Sequence, residues 1–332
     1  MKRLYLTIAA MFFLAAVANA AEVKVPKPSG NLNIQIGHPS TISLYDVLTE
    51  MTHERLNKQG WNAKSVEFTR TDLNSQALAQ GTVQMAISQI LDPLRAIQKG
   101  AKLVWLVENN GGEFVMIAKK EIKDCKDIDG KRFAIHGETA TTSLATKLWL
   151  VNACKVNPKI LVIPGGENRI VALQNNQIDA TLTQLSDWLN LDHQAPGKYH
   201  VIDTGGLYNI SGAGLWANPE WLRKNENIAT AYVAETLNTF RMIHANPKVL
   251  EAAVLKYLPD TPKDAAPRAV NAYINVIRAW PQNGGDTSML AETIRFFTER
   301  GELKPGLDAN QIANLTILQN ALKMVGKVPG SR

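Results

Sequence analysis

Four short stretches of this chain gather the residue types that hold small polar ligands. They are Gly37-His38-Pro39-Ser40-Thr41, Ser88-Gln89, Gly137-Glu138-Thr139-Ala140-Thr141-Thr142-Ser143 and the run from Gln184 through Ser186 and Asp187 to Trp188. Each places hydroxyls or amides at the end of one element and the start of the next. Unpaired backbone N–H groups and the positive end of the helix dipole at a helix start favour an anionic head group: a carboxylate, a sulfonate or nitrate. The helix starts after Pro39 and after Gly137 are the strongest cradles of this kind. The candidate ligand-binding residues are therefore His38, Ser40, Thr41, Ser88, Gln89, Glu138, Thr139, Ala140, Thr141, Thr142, Gln184 and Trp188. The Trp188 ring would pack an apolar part of the ligand. A lone Ser or Thr at such a position is more often a simple helix cap. The weight rests on the recurrence of the pattern. His136 ends a strand and reads as structural.

Other chemistry lacks its residues. There is no Gly-x-Ser-x-Gly, no His-Glu-x-x-His, no Walker phosphate loop and no Gly-x-Gly-x-x-Gly opening a helix. The chain has two cysteines, Cys125 and Cys154, too far apart in sequence for a Cys-x-x-Cys metal or redox site. No catalytic set, metal or cofactor is expected. A formal charge of +6 falls to about +4 without Lys2 and Arg3, and it is scattered. Nucleic-acid binding needs a basic stripe or patch, so that class is excluded.

The elements that must position these residues follow from periodicity. Residues 32–37 alternate apolar and polar as a strand does, and 42–57 carry helical spacing. Further strands are read at 66–68, 83–87, 103–107, 113–118, 132–136, 160–163 and 179–183. Helices lie between most of them. Strands alternating with helices specify an α/β fold with mostly parallel sheets and helices on both faces. The last hundred residues read mainly as helix, broken by prolines. Residues 77–87 repeat as 172–182, each a helix end, a Gly81 or Asn176 suited to left-handed backbone, and a strand. The two copies suit two lobes built on one plan. Glycine clusters at 111–112 and 205–214 can absorb rotation where the chain crosses between lobes. Lobe one is then 31–112 plus 215–332, and lobe two 113–214.

The N-terminus carries an export signal. Lys2 and Arg3 precede an apolar run over 4–17, and Ala18-Asn19-Ala20 is a small-x-small cleavage site. The run is shorter than the ~20 residues that span a bilayer. Cleavage near Ala20 would deliver the protein to the periplasm, with 21–30 as an extended tether. In that oxidising compartment Cys125, before the strand at 132–136, and Cys154, ending the following helix, lie on one side of a sheet and can form a disulfide. The alternative is two separate buried thiols.

Three segments carry a family resemblance. Residues 122–135 resemble the stretch that enters the second lobe of type II periplasmic solute-binding proteins of ABC transporters. Residues 77–87 and 172–181 are similar to that family's two helix–turn–strand segments, and 294–301 with 307–324 to its C-terminal helices. The nearest group binds aliphatic sulfonates, taurine, nitrate or the thiamine pyrimidine precursor. The resemblance implies a two-lobed fold with two crossover segments, and a monomer that captures a small anionic ligand and delivers it to an inner-membrane permease with its ATPase. It places Ser40, Ser88, Thr139 to Thr142, Gln184 and Trp188 in loops lining the cleft. Gln84 stands where the family has Asp, and residues 37–41 match no one subgroup. Organic acids of aliphatic or aromatic type therefore fit as well as sulfonates. Two other readings share the fold: an enzyme acting on a small heterocyclic or acidic substrate, and a periplasmic sensor domain.

Overall fold

The computed structural model describes residues 23–39, 42–68, 70–205, 207, 210 and 212–331. The export signal, Ser40 and Thr41 lie outside the described residues. Two five-stranded sheets organise the chain. The first contains β1 (Asn33–His38), β2 (Asn62–Glu67), β3 (Met85–Gln89), β4 (Val104–Asn110) and β10 (Ala213–Ala217), in the order β2-β1-β3-β10-β4. The second contains β5 (Phe114–Lys119), β6 (Arg132–Ile135), β7 (Lys159–Val162), β8 (Ala180–Gln184) and β9 (Tyr199–Ile202), in the order β7-β6-β8-β5-β9.

The two orders are the same plan. In each sheet only the fourth strand runs against its neighbours. That strand is β5 in the second sheet, entered directly from β4 of the first, and β10 in the first, entered from the second. A parallel neighbour needs a crossover connection over the sheet face, and these two strands have none. The remaining strands are parallel, in keeping with the α/β reading.

Both sheets are buried on both faces. Along β3, Met85 and Ile87 join one hydrophobic cluster and Ala86 the other. Along β5, Met116 and Ala118 face one side and Ile117 the opposite side. Strands covered on both faces carry continuous apolar runs, as these do. The covering helices of the first sheet are α1 (Val47–Lys58), α2 (Thr71–Ala79) and α3 (Leu91–Gln98). Those of the second are α4 (Thr141–Trp149), α5 (Gly166–Gln174) and α6 (Leu185–Gln194). The C-terminal helices are α7 (Pro219–Lys224), α8 (Glu226–Ala245), α9 (Pro247–Tyr257), α10 (Ala266–Asn271), α11 (Ser288–Thr298), α12 (Ala309–Ile312) and α13 (Leu315–Val325). Their buried side chains join the clusters of the first sheet. Among the described residues no helix is long and apolar enough to cross a membrane.

The internal repeat is structural. Gly81 follows α2 with φ 75°, Asn176 follows α5 with φ 58°, and the strands that come next hold the same place in their sheets. Gln84 and Asp179 are matched too. Gln35 N–H donates to Gln84 Oε1 at 2.8 Å, and Arg132 N–H donates to Asp179 Oδ2 at 3.0 Å. Each side chain thus ties its segment to the neighbouring parallel strand. Gly214 is required by packing: a Cβ there would lie 2.1 Å from Trp105 Nε1. Cys125 and Cys154 form a disulfide, joining the turn before β6 to a π-helical turn that ends the α4 segment.

Several expectations are corrected. The helix read from residue 42 begins at Val47, because 44–46 form a turn and the Asp46 carboxylate is bound elsewhere. β2 begins at Asn62, and β9 was not read at all. Both are edge strands with few buried apolar residues, so their pattern is weak. The proposed tether docks on α8: Val25 is buried, and Asn238 and Asn227 donate to the Val23 and Ser29 carbonyls.

Candidate functional site

The carboxyl ends of the parallel strands in both sheets converge on one cavity of about 520 Å³. This is where open α/β sheets bind ligands. The first sheet contributes Pro39 and residues 42–46 after β1, Ser88 and Gln89 at the end of β3, and Asn110 from β4. The second contributes His136, Ala140 and Thr142 after β6, Gly165 and Gly166 after β7, and Gln184, Ser186 and Asp187 at the end of β8. Glu113 lies on the crossing between the sheets, and a loop over 257–261 closes one side.

Five of the anticipated residues line this cavity: Ser88, Gln89, Ala140, Thr142 and Gln184. Ser88 is 1% exposed, and its hydroxyl has no hydrogen-bond partner among the described residues. Burying a hydroxyl unpaired costs ~1–3 kcal/mol, so Ser88 is an unsatisfied polar group in the cavity wall. Opposite, α4 starts without a side-chain cap: Ala140 is extended and its successors Thr141 and Thr142 are buried. Ala140 and Thr142 line the cavity, so the start of α4, the positive end of its dipole, is part of the wall. The Thr141 hydroxyl is likewise buried without a partner among the described residues.

The remaining anticipated residues stand elsewhere. His38 is buried behind the wall, with Nδ1 2.9 Å from Asp46 Oδ1. Glu138 is exposed and pairs with Lys147 at 2.6 Å. Thr139 is exposed, and its carbonyl accepts from Arg95. Trp188 packs against the core of the second sheet among Ala172, Leu173 and Leu191. A helix places successive side chains about 100° apart, so only some residues of a helix start can face the cavity. His136, read as structural, does line it, and accepts from Gly165 N–H at 3.3 Å.

Sequence reasoning missed Arg169 and Glu113 in the lining, and named Asp187 only as part of its loop. Arg169 on α5 is 2% exposed and donates to the carbonyls of Leu182, Ile163 and Gly165. Asp187 accepts from the Thr183 hydroxyl at 2.7 Å and lies against the start of α5, where a Cβ on Gly166 would be 2.4 Å from its carboxylate. The protein's own carboxylate therefore occupies the dipole end of α5, whereas the start of α4 has no side-chain cap. Burial pushes the Asp187 carboxyl up, against the Thr183 hydrogen bond and Arg169. Burial likewise holds Glu113 well above the usual carboxylate range; the Tyr273 hydroxyl opposes this, and Asp46 and Asp187 add to it. Glu113 keeps its proton where an exposed glutamate has lost it. Tyr273 donates to Glu113 and accepts from Ser186 N–H at 3.3 Å. Beneath the crossing, Tyr45 donates to the Gly111 carbonyl at 2.9 Å and packs edge-on to Tyr273 at 5.1 Å between ring centres.

Ser65 Oγ lies 3.2 Å from His38 Nε2, which completes a Ser–His–Asp chain of contacts with Asp46. It is not a nucleophile's arrangement. Ser65 donates to Glu50 instead and is no part of the cavity wall.

This two-sheet architecture, with its inserted antiparallel strands and interlobe cavity, is that of a type II periplasmic binding protein. The chain belongs to the NMT1/THI5-like family, whose model matches residues 56–249. The alkanesulfonate-binding protein SsuA from Xanthomonas axonopodis pv. citri, bound to MOPS, has a TM-score of 0.66 at 14% identity, covering 87% of this chain and 100% of the other. The periplasmic nitrate-binding protein NrtA from Synechocystis PCC 6803 has 0.66 at 12% identity, over 88% and 89%. A DszB mutant in complex with biphenyl-2-sulfinic acid has 0.61 at 11% identity, over 87% and 98%. No curated protein matches the sequence.

Proposed function

We propose that this protein is the solute receptor of an ABC importer, exported to the periplasm as a monomer with its signal peptide cleaved near Ala20. Residues 31–112 with 215–332 form one rigid lobe and 113–214 the other. They close on a small organic anion, a sulfonate or a carboxylate, and the closed form docks on an inner-membrane permease with its ATPase. Ser88 carries the reading: it lines the cavity from the first sheet, its buried hydroxyl has no partner among the described residues, and the opposite wall includes the uncapped start of α4. Hydroxyls and helix-start N–H groups bind an anion without needing a full opposing charge. Asp46 and Glu113 fit this reading, since His38 pairs the first and burial keeps the second protonated. The similarity to sulfonate- and nitrate-binding proteins supports the same class.

A thermal-shift screen with alkanesulfonates, nitrate, aliphatic and aromatic carboxylates, pyrimidines and neutral sugars tests it. A ligand at a thousand times its Kd adds about 4 kcal/mol. The expected result is a shift with one anion class, no shift with sugars and no turnover of the compound. Ser88→Ala should weaken that anion about tenfold, the loss of one hydrogen bond to a charged group. Unchanged affinity in that variant would remove Ser88 from the site, and a response confined to sugars would end the anion assignment.

A further inference from the structure

His38 ends β1 one hydrogen bond short of the cavity. Its partner Asp46 lines the cavity, and the two oxygens of that carboxylate serve two masters. Oδ1 lies 2.9 Å from His38 Nδ1. Oδ2 accepts from both the backbone N–H and the hydroxyl of Ser43, each at 2.8 Å. Residues 42–46, the lobe-one wall of the cavity, thus hang on a carboxylate that His38 holds from behind. His38 has no route to the ligand itself: it is 1% exposed and its Nε2 faces Ser65.

We propose that His38 is a positioning residue for ligand capture, which fixes the 42–46 wall through Asp46 and, as an imidazolium, cancels the negative charge that Asp46 would otherwise present to an anion. The proposal rests on the anion reading above. Every element around the pair bears on it. From α1, Glu50 lies near the ring and His53 opposes it; from β2 come Ser65 and Glu67; on the cavity side Glu113 faces Asp46. Burial lowers the His38 pKa, but Asp46, then Glu50 and Glu67, outweigh it and hold it above the ordinary histidine value. Burial would raise Asp46, and His38 with Ser43 outweighs that and holds it low. Burial pushes the neighbouring His53 down to about 3, so it stays neutral and does not compete for the charge. Below its raised pKa the pair is an ion pair with no net charge. As pH rises through that value the imidazolium is lost and Asp46 stands alone at the cavity wall. One charge ~10 Å from the ligand, at an effective dielectric constant of ~20, changes affinity on the order of tenfold.

Two measurements test this. The first needs no ligand: the imidazole Cε1–H signal of His38, assigned by its loss in His38→Gln, is titrated by NMR. The expected midpoint lies above that of free histidine, and falls in Asp46→Asn. A midpoint below 6.5 overturns the proposal whatever the ligand. The second is calorimetric titration with ethanesulfonate, benzoate and nitrate between pH 6 and pH 9. Wild-type affinity for the anion that binds should drop about tenfold as pH rises through the midpoint found by NMR. His38→Gln should show a flat profile near the wild-type value above that midpoint, and Asp46→Asn a flat profile without that loss. A flat wild-type profile, or a slope that persists in His38→Gln and so belongs to Glu113, overturns the proposal and leaves the anion reading standing. Binding of none of the three at any pH removes the anion reading and this inference with it.

Discussion

Ser88, Glu113 and His38 show how single residues here take their meaning from burial. Ser88 is one of several hydroxyl residues at strand ends that the sequence offers, and burial sets it apart, because its hydroxyl is enclosed with no partner among the described residues. Glu113 is a surface-type residue held in a nearly closed site, 4% exposed. Because its folded pKa lies above the unfolded value, the folded state binds a proton that the unfolded state has released. Its contribution to stability therefore declines as pH rises from ~4.3 toward the folded pKa, by at most about 1.4 kcal/mol per pH unit. Glu113→Gln keeps the shape and removes the titration. Urea unfolding should show the variant gaining on wild type between pH 5 and pH 8. A difference that stays constant with pH would mean that Glu113 is ionised in the folded protein.

At the scale of elements, the helix–turn–strand unit is used twice, and its pieces can be matched one to one. Gly81 and Asn176 close α2 and α5, and the polar residues Gln84 and Asp179 tie β3 and β8 to their neighbours. Asp179 does more than Gln84: Arg132 and Lys119 both pair with it, and these bonds hold its carboxyl well below the usual range. The second unit is also pinned by the disulfide, which closes a sequence separation of 29 residues. On loop entropy that bridge is worth roughly 3–4 kcal/mol. The Cys125→Ser, Cys154→Ser double variant should unfold at correspondingly lower denaturant, and wild type under reductant should match it. Equal stability of the oxidised and reduced protein would show that the bridge adds nothing to the fold. The repeat and its glycine were readable in the sequence because left-handed backbone admits few residue types. The edge strands β2 and β9 were not, because an edge strand buries too little to impose a pattern.

For the whole molecule, the two sheets meet at the crossings that carry β5 and β10, and the cavity lies between them. Tyr45 and Tyr273, both in the hydrophobic cluster of the first sheet, clamp this junction through Gly111, Glu113 and Ser186. Closure on a ligand would be a shift in a pre-existing population. Small-angle scattering should then give a smaller radius of gyration for the anion-saturated protein than for the free one. Superimposable curves at saturation would count against closure as the transport signal. The amino-acid sequence by itself determined the alternation of strand and helix, the duplicated unit and four polar loops at strand ends, since each rests on local periodicity or residue chemistry; it left Cys125 and Cys154 as a bridge or two separate thiols, and the tertiary structure joins them. Only the tertiary structure decided which of those loop residues face the cavity. It set Ser88 and Thr142 in the cavity wall, packed Trp188 against the core of the second sheet, set Asp187 over the start of α5, and put His38 behind Asp46. Those outcomes depend on which strands become neighbours and how far each is buried, and both are set by contacts between residues distant in the chain.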